Sequence, residues 1–64
     1  MTDPQMPARL ATEIGRPHGL ACRYEYDRVR GVFCYRFTRH GRFIGSTTDA
    51  KKVVAKMERY AETK

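Results

Sequence analysis

From Leu20 onward, apolar and polar residues alternate with a period of two. Cys22, Tyr24 and Tyr26 alternate with Arg23, Glu25 and Asp27, which predicts a strand with one face turned to a core. Arg28-Val29-Arg30-Gly31 interrupts the pattern, and Gly31 is free to take a positive φ in a turn. Val32 to Thr38 is rich in aromatic and β-branched residues and predicts a second strand. Phe33, Tyr35 and Phe37 fall on one face of it, and Cys34, Arg36 and Thr38 on the other. Arg39-His40-Gly41 predicts a turn, and Arg42 to Ser46 a short third strand. The period then changes. Ala50, Val53, Val54, Met57, Tyr60 and Ala61 form one stripe of an amphipathic helix, with Lys51, Lys52, Lys56, Glu58 and Arg59 on or beside its wet face. Thr47, Thr48 or Asp49 can cap its first amides.

Residues 1–19 lack a clean period and carry Pro4, Pro7, Gly15 and Pro17. Leu10, Ala11 and Ile14 have helical spacing, so a turn of helix over Ala8–Ile14 is the one structural option there. The segment reads as a flexible tail before a domain spanning 20–64. Strand parity sets the pairing. If Asp27 faces Val32, then Tyr26 faces Phe33 and Tyr24 faces Tyr35, and these rings share the face that the helix covers. The expected architecture is an α+β fold, a three-stranded antiparallel sheet packed on one C-terminal helix. The second sheet face, with Arg23, Glu25, Cys34 and Arg36, is left open to solvent.

Charge gives that open face a meaning. The chain holds 13 Lys and Arg against 7 Asp and Glu, a net charge of +6 over 64 residues. Residues 1–19 are neutral, whereas residues 20–47 carry Arg23, Arg28, Arg30, Arg36, Arg39 and Arg42 against Glu25 and Asp27. This middle block uses arginine only. The guanidinium fork suits phosphate and the major-groove edge of guanine. A basic surface of this kind calls for a polyanionic partner, with a merely solubilising surface as the alternative.

The run Gly31-Val32-Phe33-Cys34-Tyr35-Arg36, a glycine-containing turn, and then Ile44-Gly45-Ser46-Thr47-Thr48-Asp49-Ala50 opening a helix resembles the N-terminal arm-type DNA-binding domain of lambda-like tyrosine integrases. More loosely, it is similar to plant ethylene-response-factor domains. The resemblance spans about residues 23–62. It implies a sheet lying in the major groove with a helix behind it, Arg36 and Phe43 facing the groove, and Tyr35 and Ile44 in the core. Arg23 and Arg36 would then reach base edges or phosphates. Arg28, Arg30, Arg39 and Arg42 in the turns would grip the backbone, and the tail, with Arg9 and Arg16, would follow a minor groove. The expectation is duplex DNA binding, by an integrase arm-binding domain or by a stand-alone phage or mobile-element protein.

Other chemistries fare less well. His18, Cys22, Cys34 and His40 lack the knuckle spacing of a zinc site, and Cys22 and Cys34 fall on opposite sheet faces, against a disulfide. No nucleophile elbow, phosphate loop or carboxylate pair is present, so neither an enzymatic activity nor a cofactor or small-molecule substrate is expected. No apolar run reaches the membrane-spanning length of about 18 residues, and no secretory leader pattern opens the chain. These features suggest a cytoplasmic protein of a bacterial or phage-infected cell, with free thiols. A host protein on the open face is the alternative partner, favoured by any large exposed apolar patch. RNA, bound through strand aromatics, is a third, and requires Tyr or Phe to lie on the open face.

Overall fold

The computed structural model describes residues 3–62. Helix α1 (Met6–Gly15) leads through a short 3-10 turn (Arg16–His18) into β1 (Leu20–Asp27). Strands β2 (Val32–Arg39) and β3 (Arg42–Thr47) follow, then a 3-10 turn (Ala50–Lys52) and helix α2 (Val53–Glu62). The sheet is antiparallel in the order β1-β2-β3, so the α+β architecture is as expected. The β1–β2 register is the one that parity predicts, with Tyr24 opposite Tyr35, Tyr26 opposite Phe33 and Asp27 opposite Val32. Asp27 fixes the connecting turn. Its Oδ1 accepts the amides of Val29 and Arg30, and Gly31, at φ 72°, donates to the Asp27 carbonyl at 2.8 Å.

Two helices cover the sheet, not one, and the expected tail is the difference. Ala8, Arg9, Leu10 and Ala11 are strong helix formers, and Pro7 sits in the first turn, where its missing amide costs nothing. The face of α1 that packs inward is Ala8, Ala11 and Gly15. Gly15 is the point of closest approach, since a Cβ there would lie 2.6 Å from both Leu20 Cβ and Met57 Sδ. Hydrogen bonds at Pro4 and Thr12 anchor the segment. The Tyr35 hydroxyl donates to the Pro4 carbonyl at 2.6 Å. Thr12 Oγ1 accepts the Cys22 amide at 3.1 Å, occupying a backbone donor on the outer edge of β1 that would otherwise invite another strand.

The core is Ala8, Ala11, Leu20, Cys22, Tyr35, Phe37, Val53 and Met57. Helix α2 presents Val53 and Met57 to it, and the 3-10 turn that leads into α2 is capped by Asp49, whose Oδ1 accepts the Lys51 amide. Three expected core residues lie elsewhere. Tyr26 and Phe33 are 52% and 53% exposed, because α1 begins beside Tyr35 and, among the described residues, no helix covers the sheet beyond that rung. Ile44 is exposed because a bulge opposite Phe37 and Thr38 makes it the extra residue of β3. Conversely, Cys34 is buried although it lies on the open face and outside the main core cluster.

Both thiols are free. Burial pushes the Cys22 thiol from an ordinary 9.0 up to about 11. Burial also raises the Tyr35 hydroxyl, with the charges of Tyr24, Cys22 and Asp3 adding to it. The unfolded chain therefore releases these protons at lower pH than the folded one. That stability is present below pH 9 and is lost as pH rises towards 11. Urea midpoints should fall between pH 9 and 11, and Cys22→Ala should flatten the decline. An unchanged slope in that variant would contradict the assignment to Cys22.

Candidate nucleic-acid interface

The sheet face turned away from the helices is set by strand parity. Arg23 and Arg36 are direct cross-strand partners on it. Ser46 stands opposite Arg36, and Phe43 opposite Thr38. Like charges facing each other across a strand pair destabilise a sheet, and two local contacts temper this pair. Arg23 lies 3.6 Å from Glu25. The Arg36 guanidinium lies over the Phe43 ring, 4.7 Å from its centroid, a cation–π contact. Phe43 is 55% exposed and so offers its ring as part of the same surface. Next to it lies a hollow of about 110 Å³, floored by Cys34 and flanked by Arg30, Arg36, Phe43 and Ser46.

The β1–β2 hairpin extends this face. Strand β3 stops at Thr47, opposite Tyr35, whereas β1 and β2 continue for three more rungs and a turn. The result is a two-stranded ribbon with Arg28, Val29 and Arg30 at its tip, and Val29 is 96% exposed. Arg30 lies 3.8 Å from Asp27. Among the described residues, Arg28, Arg36 and Arg42 have no carboxylate within ion-pair distance.

The seven candidate residues thus separate. Arg23, Arg36 and Phe43 come together on the open face, and Arg28 and Arg30 continue it at the hairpin tip. Arg39 and Arg42 do not join them. They pair across the β2–β3 turn on the helix side of the sheet, and Arg39 Nη2 donates to the Tyr60 carbonyl at 2.7 Å. That bond satisfies an orphan carbonyl at the end of α2. This β2–β3 turn is tight, with His40 at φ 50° and Gly41 at φ 83°, the type I′ form that suits a two-residue hairpin.

Lys51 and Lys52, exposed in the 3-10 turn that links β3 to α2, are cations that the seven-residue candidate set leaves out. Arg9 and Arg16 lie on α1 and its extension, where Arg16 pairs with Glu13. They line a groove of about 440 Å³ against the edge of β1 together with Thr12, Arg23 and Tyr24, and form no extended arm. No described helix is long and apolar enough to cross a membrane. Among the described residues, no group of three or more His, Cys, Asp or Glu side chains is placed to hold a metal ion. No family profile matches the chain, and neither a curated protein nor a solved structure matches it.

Proposed function

We propose that this protein is a non-enzymatic module that binds duplex DNA through the open sheet face and the β1–β2 ribbon. The observation that carries the reading is the Arg23–Arg36 pair. Two guanidiniums set side by side cost the free protein stability, and an anion between them reverses the sign of that interaction. A two-stranded ribbon fits the major groove of B-form DNA, whereas the major groove of an RNA duplex is too narrow for it. Arg36, over the Phe43 ring, would read a base edge. Arg28 at the tip would meet phosphates. An integrase arm or a stand-alone mobile-element protein remains the proposed setting.

Two variants test the reading on a preferred duplex and on scrambled DNA. Arg36→Ala should cost about 1–3 kcal/mol on the preferred site and blunt the preference. Arg28→Ala should weaken all duplexes equally and lower the salt slope by about one. If neither variant loses affinity, the open face is not the DNA surface.

A protein partner is the second reading, and α1 favours it. Met6, Leu10 and Ile14 are 45%, 51% and 36% exposed and form one apolar stripe on its outer side, away from every arginine of the open face. Leu10→Ser leaves DNA affinity unchanged on the first reading, whichever partner the stripe takes.

A further inference from the structure

The outer edge of β1 is closed at one rung and open at the next two. Thr12 Oγ1 accepts the Cys22 amide at 3.1 Å and lies 3.1 Å from the Cys22 carbonyl oxygen. Both backbone groups of Cys22 therefore point away from β2. Residues two apart in an antiparallel strand point their backbone groups the same way, and the β1–β2 register runs unshifted to Asp27. The amides and carbonyls of Tyr24 and Tyr26 thus face outward as well. Among the described residues, nothing pairs with them. Arg23 and Glu25, between them, turn theirs to β2, opposite Arg36 and Cys34.

An edge of this kind accepts another extended chain. Its surroundings narrow the choice of chain. Helix α1 flanks the edge, and the two enclose the groove of about 440 Å³, with Tyr24 on the strand side and Arg9 and Thr12 on the helix side. Clefts that hold ligands run from about 300 to 1,000 Å³. A second copy is a poor occupant, because its own β1 edge carries the same Thr12 plug and the same flanking helix. Five charged side chains border the groove. Glu13 pairs with Arg16, and Glu25 lies 3.6 Å from Arg23. Arg9 is left over, since among the described residues no carboxylate lies within ion-pair distance of it. The uncompensated charge is positive and stands on the helix wall.

We propose that this groove receives an extended, acidic peptide segment of a partner protein, which adds to β1 as a fourth strand. Its backbone pairs with Tyr24 and Tyr26, and one of its carboxylates meets Arg9. The site is separate from the outer apolar stripe of α1, and the inference does not rest on the duplex-DNA reading.

The first measurement needs no peptide. In the free protein, amide hydrogen exchange followed by NMR should be faster at Tyr24 and Tyr26 than at Arg23 and Glu25, which are bonded to β2. Equal protection at all four means an edge already covered, by a second copy for instance, and overturns the proposal. The second measurement uses a fluorescein-labelled octapeptide alternating glutamate with threonine, and its lysine–threonine twin, in anisotropy titrations. The acidic peptide should bind at least about tenfold more tightly, the scale of one charge-assisted hydrogen bond. Arg9→Ala should cost about tenfold in acidic-peptide affinity, and Arg36→Ala should cost nothing. Arg9 is exposed, so the variant keeps the core, and a melting curve checks this. A loss with Arg36→Ala instead places the peptide on the open face and overturns the groove. Backbone pairing has its own signature. An added strand turns alternate amides towards β1, so N-methylation of the glutamate amides and of the threonine amides should give opposite results, one abolishing binding and the other sparing it. If both methylated peptides behave alike, or the unmodified acidic peptide does not bind, strand addition at β1 is wrong.

Discussion

Phe37→Ala should leave the protein largely unfolded at room temperature. Phe37 has no exposed surface and lies in β2, the central strand of the sheet, with the Tyr60 ring 5.3 Å away. Truncating a buried phenylalanine costs about 3–5 kcal/mol. A folded chain of this length has about 3–10 kcal/mol in total, and small domains lie towards the low end because they bury less of their surface. The loss therefore approaches the whole stability. Circular dichroism and urea melts would show it as a collapsed or missing transition. Val29→Ala, at the exposed hairpin tip, should melt like the wild type. If Phe37→Ala retains a normal transition, the facing of β2 is wrong, since a one-residue slip would turn Phe37 out and Arg36 in.

That facing was legible in the sequence, and the reason is local. Alternation through Cys22, Tyr24 and Tyr26, a turn at Gly31, and alternation again through Phe33, Tyr35 and Phe37 allow one register that buries one face. The α2 stripe was legible for the same reason, although Ala50 falls in the preceding 3-10 turn. The N-terminal helix was half legible. Leu10 and Ile14 gave the helical signal, yet they lie on its exposed side. The residues that bury it are Ala8, Ala11 and Gly15, which are small because α1 packs closely on β1 and α2. Close packing selects small side chains, and small side chains leave little hydrophobic trace in a sequence. What ties the segment down, a tyrosine hydroxyl on a proline carbonyl 31 residues away, has no sequence signature at all.

The candidate site divides along the same line. Arg23 and Arg36 share a face because parity within a regular strand pair is a rule. Arg39 and Arg42 were assigned to the site because they lie at a turn, and turns do not fix direction. The β3 bulge adds one residue and leaves Ile44 outside the core, whereas the family resemblance implies a core position for it. Cys34 is buried on an open face because the larger groups beside it, Arg30, Arg36 and Phe43, close over a small side chain. A period-two pattern carries no record of such covering.

Affinity for duplex DNA should fall about 200- to 1000-fold between 50 and 200 mM salt. The open face and ribbon tip bring Arg23, Arg28, Arg30 and Arg36 within reach of one backbone. Glu25 and Asp27 offset part of that charge through Arg23 and Arg30. Neutralising about four to six phosphates gives a log–log slope of roughly −4 to −5. Arg39 supplies the internal control. Its guanidinium is bonded to the end of α2, so Arg39→Gln should lower thermal stability and leave the salt slope unchanged, whereas Arg28→Ala should reduce the slope by about one. Anisotropy titrations across the salt range separate the two. A flat response in the wild type would remove the phosphate backbone from the account and turn attention to the apolar stripe of α1. A slope that falls with Arg39→Gln as much as with Arg28→Ala would move the DNA to the helix side of the sheet, where Arg39 and Arg42 stand together.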